Sequence, residues 1–377
     1  MTQLKLDPEA CEAHLNCYYD GIHGALEALS AGHPVLFWRW FKFPAAHMVD
    51  VLDYFKMFLD YNKNRESSIL VSDPSVLVRL IRAEKNFVSQ HAWNKTLSPY
   101  KECRELIGRL FEYGRFSGQK GYRFDKMTNQ LQQVDISDIE SGRWHGEAWG
   151  PHAFIKSLNV RYCPYCNAES VYAVKLGGDG SSDGVRSDID HFYPKSECPY
   201  LGLSLQNLIP ACTRCNRDIK KNREFDVGRM LNPYEASVHR NVAFDYELTD
   251  CSSGWCPRDM NGFELSLPMR KDADPAFGPR ARELVDFFRV SRIYNLLFKP
   301  EAFDVIRLGR MFHSEYQGWV RQTLGDLSDE EINRLVCHVV PADDEINKWR
   351  LSKLAVDMKE AVGRILRKDV ASGLGRE

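Results

Sequence analysis

Two pairs of cysteines, each with two residues between its members, lie on either side of a short polar stretch. The pairs are Cys163 with Cys166 and Cys212 with Cys215. Zinc favours four thiolate ligands in a closed tetrahedron, and a two-residue spacer lets one turn deliver two sulfurs to the same ion. The spacing therefore predicts one structural zinc site with no open ligand position for a substrate.

A redox-active Cys-x-x-Cys is the alternative for either pair, but two matched pairs would then occur by coincidence. The chain has 11 cysteines, an odd number. Together with an N-terminus that lacks the features of a signal peptide, this count favours metal binding over a disulfide framework. Cys251 and Cys256 have only His239 as a further ligand nearby, so we expect both to be free thiols.

Residues capable of acid–base chemistry and metal binding lie between the cysteine pairs and directly after them. Asp190 and His191 end a candidate strand, Asn207 precedes an apolar stretch, and Asn216 follows the second cysteine pair. A neutral histidine can accept a proton from water near neutral pH, and carboxylate and amide oxygens suit a hard cation. Alone, each residue has an ordinary role as a packed side chain, a turn residue or a cap. Together they offer a base for water and oxygen ligands for a hard cation, which are parts of metal-assisted hydrolysis.

This combination resembles the HNH endonucleases of the ββα-metal superfamily, in the branch with a four-cysteine zinc support. The matching residues are Asp-His-x-x-Pro at 190–194 and Asn-Leu-Ile-Pro-x-Cys-x-x-Cys-Asn-x-x-x-Lys at 207–220. The resemblance covers roughly residues 160 to 225. It implies a β-hairpin followed by a helix, with one catalytic divalent cation at their junction.

The resemblance also implies a role for each matching residue. His191 is the general base, Asp190 is a ligand of the divalent cation, and Asn207 orients the loop that carries the histidine. Asn216 is the second ligand, at a position where many members have histidine. An amide oxygen there favours Mg²⁺ or Mn²⁺ over Zn²⁺ or Ni²⁺. The expected products have 5′-phosphate and 3′-hydroxyl ends.

Basic residues near this stretch predict contacts with a nucleic-acid backbone. We expect Lys195, Arg217 and Lys220 to bind phosphates, although a run of charges is usually a solvated face. The formal net charge of the chain is -2, so any nucleic-acid surface must be local. DNA is the expected substrate. Two alternatives stay open: cleavage of RNA or tRNA by the same site, and a zinc-stabilised nucleic-acid-binding module without catalysis.

The residues His-Phe-Tyr-Pro-Lys-Ser at 191–196 also bear on the biological setting. Their likeness to other members that carry this sequence implies a bacterial defence or mobile-element protein. A protein partner such as an ATPase would then dock on the helical flanks.

The organisation expected for the chain is α+β, with mainly helical regions around a small ββα-metal module. Residues 1–150 form a helical N-terminal region, in which Asp7-Pro8 and Asp73-Pro74 mark helix starts. Residues 151–232 form the nuclease module with its zinc site. Residues 233–377 form a β-hairpin followed by a helical C-terminal region.

A second metal site could be drawn from His145, Glu147 and His152. These residues lie in a segment broken by glycine and proline, with no spacing rule behind them, so a linker with aromatic packing is the preferred interpretation. No apolar stretch is long enough to span a membrane. We therefore expect a cytoplasmic protein that does not bind membranes.

Overall fold

A computed structural model describes residues 1–33, 47–117, 121–134, 142–177, 184–250, 257–311 and 343–371, with short gaps at 92, 94–97, 126, 129, 222 and 224–227 and a few further residues between 319 and 331. Cys251 and Cys256, expected to be free thiols, lie outside the described residues. No helix within the described ranges is both long enough and apolar enough to cross a membrane.

The fold is α+β, as the sequence predicts, because helices alternate with small antiparallel sheets. Each sheet in the described part of the chain has two strands. The α-helices are α1 (Pro8–Ser30), α2 (Met48–Asp60), α3 (Pro74–Gln90), α4 (Ser98–Leu110), α5 (Tyr113–Phe116), α6 (Pro151–Ser157), α7 (Gly278–Phe287), α8 (Val290–Leu297), α9 (Lys299–Met311) and α10 (Ser352–Ala371).

Each strand pairs with its neighbour along the chain. The pairs are β1 (Gly121–Asp125) with β2 (Gln130–Val134), β3 (Arg143–Trp144) with β4 (Glu147–Ala148), β5 (Ala173–Lys175) with β6 (Gly184–Arg186), β7 (Asp188–His191) with β8 (Leu208–Ala211), and β9 (Asp245–Leu248) with β10 (Phe263–Ser266). A π-helix over Arg214–Lys220, which we name the site helix, follows β8.

The N-terminal region is mostly helical, as predicted, but it also contains the β1–β2 and β3–β4 hairpins. Helix α1 begins at Pro8, and the Asp7 carboxylate accepts the Glu9 backbone N–H at 2.8 Å. In the β1–β2 hairpin, Phe124 lies opposite Leu131 and both are buried. The alternation in these strands spans only five residues each, which is too short to predict a hairpin against a helical background.

A buried histidine connects α1 to the loop between β7 and β8. The Trp149 indole N–H donates to Nδ1 of His14 at 3.0 Å, so Nε2 carries the proton and donates to the Leu203 carbonyl at 2.7 Å. Burial lowers the pKa of His14 to about 3, which keeps the ring neutral. This bond fixes the first helix of the chain against the loop that follows His191.

The C-terminal region begins with the predicted hairpin, formed by β9 and β10. A buried carboxylate, Asp357 of α10, holds the helix in place beside it. Asp357 accepts the Phe244 backbone N–H at 2.9 Å, the Lys353 ammonium at 2.7 Å and the Arg270 guanidinium at 2.6 Å. Because each charge has a partner, this network fixes α10 without leaving an unpaired ion in the core.

One hydrophobic core runs through all three predicted regions. Phe58 of α2 packs on Tyr200 of the β7–β8 loop, with ring centroids 5.0 Å apart. On the other side, Tyr165 of the first cysteine turn stacks on Phe288 at 4.1 Å. The helical flanks therefore pack directly against the residues that carry the candidate chemistry.

Candidate active site and metal centre

Four buried cysteine thiols meet at one point. The sulfurs of Cys163, Cys166, Cys212 and Cys215 all lie within 4.8 Å of one another, and the Sγ atoms of Cys166 and Cys212 are 3.9 Å apart. Tetrahedral zinc with bonds of ~2.3 Å places its sulfurs about 3.8 Å apart, so the observed spacing is close to what the ion requires. The four thiols can therefore hold the zinc ion that the sequence predicts.

The thiol cluster joins two segments that are distant in sequence. Cys163 and Cys166 lie in a turn before β5, and their partners lie at the start of the site helix. The Tyr294 hydroxyl of α8 donates to the Cys166 carbonyl at 2.7 Å, so the C-terminal region also braces the turn. A zinc ion here would fix the site helix relative to β7 and β8.

Strand β7 carries the predicted acid and the predicted base on opposite faces. Asp190 lies opposite Ile209 of β8, and His191 lies opposite Leu208. Successive side chains of a strand point to opposite faces, so Asp188 shares the face of Asp190. The site helix covers this aspartate face, whereas α5 approaches the histidine face.

A buried ammonium group holds Asp190. Lys220 and Asp190 are 3% and 5% exposed, and Nζ of Lys220 donates to Oδ1 at 2.7 Å and to Oδ2 at 2.8 Å. The same ammonium donates to the backbone carbonyls of His191 and Phe192. Burial lowers the pKa of Lys220, and the charge of Asp190 opposes that shift. The Lys220 ammonium is therefore not exposed to solvent. The phosphate contact that the sequence predicted for Lys220 would require an exposed ammonium.

The turn that carries the first two cysteines also touches Asp190. Tyr165 lies between Cys163 and Cys166, and its buried hydroxyl donates to Oδ2 of Asp190 at 2.7 Å. The thiol cluster and the acidic residue are therefore connected through one side chain.

Asp188 is a third polar group on the aspartate face, and the sequence reasoning did not single it out. Arg217 binds it with two hydrogen bonds, at 2.8 Å and 2.6 Å. Partial burial opposes ionisation of Asp188, but hydrogen bonds from Arg217 and Asn216 lower its pKa. Asn216 therefore lies near Asp188. The spacing of Asp188 and Asp190, two residues apart on one strand, is the signal that could have identified it.

The imidazole of His191 has a defined orientation. Nε2 lies 3.1 Å from the Gly202 carbonyl oxygen, and because a carbonyl only accepts, Nε2 carries the proton and Nδ1 keeps its lone pair. Burial lowers the pKa of His191 to about 4, and the positive charges of Lys195 and Lys220 act in the same direction. The half-buried ring is therefore neutral at pH 7 and can accept a proton at Nδ1.

Asn207 fixes the loop that follows His191. Its Oδ1 accepts the Tyr193 backbone N–H at 2.7 Å, and its Nδ2 donates to the carbonyls of Tyr193 and Leu201 at 3.1 Å and 3.0 Å. The side chain is fully buried. This pattern is the one by which an asparagine would orient the histidine-bearing loop.

Residues of the N-terminal region enclose the histidine side, and no sequence signal pointed to them. The Tyr113 ring meets His191 edge-on, with centroids 4.8 Å apart. A Cβ on Gly202 would lie 2.4 Å from the Phe111 carbonyl oxygen, so only glycine fits there. Arg104 donates to the Ser196 and Glu197 carbonyls at 2.6 Å and 2.7 Å.

Cations flank the site on both faces. On the histidine side, the exposed Lys195 places Nζ 6.0 Å from the Tyr113 ring centroid. Arg186 lies close enough to the Tyr113 hydroxyl for its charge to oppose the rise in the Tyr113 pKa that burial causes. On the aspartate side, the Arg217 side chain is 67% exposed although it pairs with Asp188. Arg186 was not predicted, because it lies before the motif.

The second metal site that could be drawn from the sequence does not assemble. Glu147 pairs with Lys156 at 2.7 Å and Lys175 at 3.6 Å, whereas His145 lies beside Glu9 at 3.2 Å. Among the described residues, the cysteine cluster is the group of His, Cys, Asp and Glu side chains that could hold a metal ion.

A catalytic divalent cation does not fit at Asp190 with Lys220 in its observed position. The donors at Asp190 and Asn216 have the hard oxygen chemistry of Mg²⁺ or Mn²⁺ ligands. Both oxygens of Asp190, however, accept hydrogen bonds from Lys220, and Oδ2 also accepts one from Tyr165. A dication at this carboxylate would meet the ammonium directly.

Comparisons with known proteins add no evidence for the resemblance, which rests on these residues alone. No protein-family model matches the chain, and no curated protein or solved structure is significantly similar to it.

Replacing Cys212 with serine should abolish tight zinc binding and destabilise the fold, because the closed four-thiolate site is lost. Metal analysis of the wild-type protein should find about one zinc per chain. Cys11→Ser is the matched control, since Cys11 lies outside the cluster. A Cys212→Ser protein with wild-type zinc content and melting temperature would contradict the assignment.

Replacing Tyr165 with phenylalanine should lower the free energy of unfolding by about 1.5–3 kcal/mol, because a buried carboxylate loses a donor. Zinc content should not change. Tyr234→Phe is the control: its buried hydroxyl donates to the neutral Leu208 carbonyl at 3.0 Å, so its loss should cost only about 0.5–1.5 kcal/mol. Urea unfolding measures both, and equal losses would argue against a charged acceptor at Asp190.

Proposed function

We propose that this chain is an HNH-type endonuclease that hydrolyses phosphodiester bonds of DNA, with His191 as the general base. The proposal joins the residue pattern at 190–220 to an antiparallel strand pair and the helix that follows it. This order of elements is the one that the resemblance implies.

The observation that carries the proposal is the orientation of the His191 ring. A general base must be neutral, held in place and reachable by water. The bond from Nε2 to the Gly202 carbonyl fixes the ring and leaves Nδ1 as the basic atom. Burial lowers the pKa of His191 to about 4, which keeps the ring neutral at pH 7 but makes it a weaker base than a histidine in water.

In the proposed reaction, His191 takes a proton from water at Nδ1 while the water oxygen bonds to phosphorus. The bond between phosphorus and the 3′ oxygen breaks, and the departing oxygen takes a proton from solvent water, which gives a 5′-phosphate and a 3′-hydroxyl end. The His191 ring then returns its proton to solvent. Asn207 and Gly202 hold the loop and ring in place during this step. The proposal includes Mg²⁺ or Mn²⁺ as cofactor on Asp190 and Asn216, where it would supply positive charge, and its binding there requires Lys220 to move.

The substrate class follows from the cations around the histidine. Lys195 and Arg186 lie on the His191 side, and Arg217 is exposed on the other. A nucleic-acid backbone carries one negative charge per phosphate, so these groups would position it without reading its sequence. With a net charge of -2 over the whole chain, this attraction is local.

Two other functions use the same residues. A zinc-stabilised module would bind nucleic acid and leave it intact, and an RNA or tRNA nuclease would apply the same base to another substrate. We place the protein in a bacterial defence or mobile-element setting, with a partner such as an ATPase, on the likeness at 191–196 alone.

Purified wild-type protein with Mg²⁺ or Mn²⁺ should convert supercoiled plasmid to nicked or linear forms, and His191→Ala should reduce the rate by about 10²-fold or more, because general-base catalysis typically contributes that much. His145→Ala is the matched control, since His145 is exposed and lies beside Glu9 rather than the site.

Digestion of plasmid, single-stranded DNA and total RNA side by side separates the alternatives. Preferential loss of RNA would favour the RNA nuclease, and binding without any cleavage would favour the non-catalytic module. Equal cutting by His191→Ala and wild type would overturn the assignment of the base.

Replacing both Arg186 and Lys195 with glutamine should weaken DNA binding in the His191→Ala background. Each lost phosphate contact should reduce the slope of log affinity against log salt by about one. The double variant Arg258→Gln with Lys271→Gln is the charge-matched control, because both residues are exposed in the C-terminal region. An unchanged salt slope in the double variant would show that phosphates do not reach the histidine side.

A further inference from the structure

The ammonium of Lys220 lies in an oxygen-lined position at the end of β7. Its acceptors are both carboxylate oxygens of Asp190 and the backbone carbonyl oxygens of His191 and Phe192. The residue is 3% exposed. An ammonium has three N–H donors and no acceptor, so these oxygens can accept every one of its N–H groups.

This set of acceptors has the chemistry of a divalent-cation site. One carboxylate and neighbouring carbonyl oxygens are hard ligands of the kind that Mg²⁺, Mn²⁺ and Ca²⁺ accept. The strand thus offers a cation-binding position, and a side chain of the same protein occupies it.

We propose that Lys220 is the resident cation of this position and that a divalent cation binds Asp190 only after Lys220 has left. The inference rests on the proposed function in one respect, namely that Asp190 is the carboxylate meant for the divalent cation. It adds that competition with a lysine sets the metal affinity of the site. In the resting protein, Lys220 occupies the position and prevents metal binding.

Electrostatics and geometry both support competition rather than joint binding. An ammonium and a dication on one buried carboxylate would repel each other strongly at the low effective dielectric of the interior. Lys220 is the last residue of the site helix, and its ammonium stands on a flexible four-carbon stem. Its release therefore requires no change in the preceding turns, which the thiol cluster holds.

The direct test is metal binding without any nucleic acid. Mn²⁺ titration, followed by calorimetry or electron paramagnetic resonance, should show binding to Lys220→Met that is about tenfold tighter or more than binding to wild type, because one competing charge is gone. Lys221→Met is the control: Lys221 follows directly and is exposed. Equal Mn²⁺ affinity in wild type and Lys220→Met would overturn the proposal, as would a failure of both proteins to bind Mn²⁺.

Because Lys220→Met leaves a buried carboxylate with fewer partners, this variant can fail to fold. In that case, an experiment on the wild-type protein tests the proposal. Acylation of lysines, mapped by mass spectrometry, should find Lys220 protected without metal and labelled at saturating Mn²⁺, while Lys221 is labelled equally in both. Continued protection of Lys220 with Mn²⁺ bound would overturn the proposal. Neither experiment uses cleavage, so failure of the nuclease assignment would be seen separately, in the plasmid assay.

Discussion

The convergence of four buried thiols is the constraint on which the candidate site depends. Cys163 and Cys166 come from a turn, and Cys212 and Cys215 from the start of the site helix. Once these sulfurs share an ion, the helix has a fixed position over β7. Asn216 then lies beside Asp188, and Lys220 lies beside Asp190. A zinc ion held by these thiols would be structural, and it would fix the site helix that carries Asn216 and Lys220.

Burial makes the rest of the geometry specific. A buried polar group is costly unless it is hydrogen-bonded, and here the partners come from distant parts of the chain. Asp190 accepts hydrogen bonds from Tyr165 and Lys220. Asn207 is hydrogen-bonded to the backbone of the loop, and His14 is hydrogen-bonded to Trp149 and Leu203. Such hydrogen-bond networks favour one packing arrangement of the core over alternative arrangements. The helical flanks thus shape the site directly, whereas the sequence alone predicted only that a partner would dock on them.

Local spacing predicted the parts of the fold whose partners are close in sequence. The cysteine cluster, the start of α1 at Pro8 and the β9–β10 hairpin were all predictable, because two-residue spacers, an N-cap before proline and alternation are local signals. Asn207 and Asn216 were identified only through their resemblance to a family pattern.

The remaining contacts depend on tertiary packing. Tyr113 and Arg104 carry no mark in the sequence that points to residues 190–202, and only folding brings α4 and α5 there. Lys220 was expected to bind phosphate, which requires an exposed ammonium, yet the helix buries it against Asp190. The pairing of Asp190 with a lysine is therefore a feature that no local pattern could reveal.

The central claim is that the half-buried, oriented His191 belongs to a phosphodiesterase site. The most direct measurement is the chemistry of the cut ends, obtained by incubating the zinc-loaded wild-type protein with plasmid and Mg²⁺ or Mn²⁺ and treating the products with DNA ligase. The account predicts 5′-phosphate and 3′-hydroxyl ends, which ligase reseals. Intact plasmid, or ends that ligase cannot join until they are repaired, would contradict it.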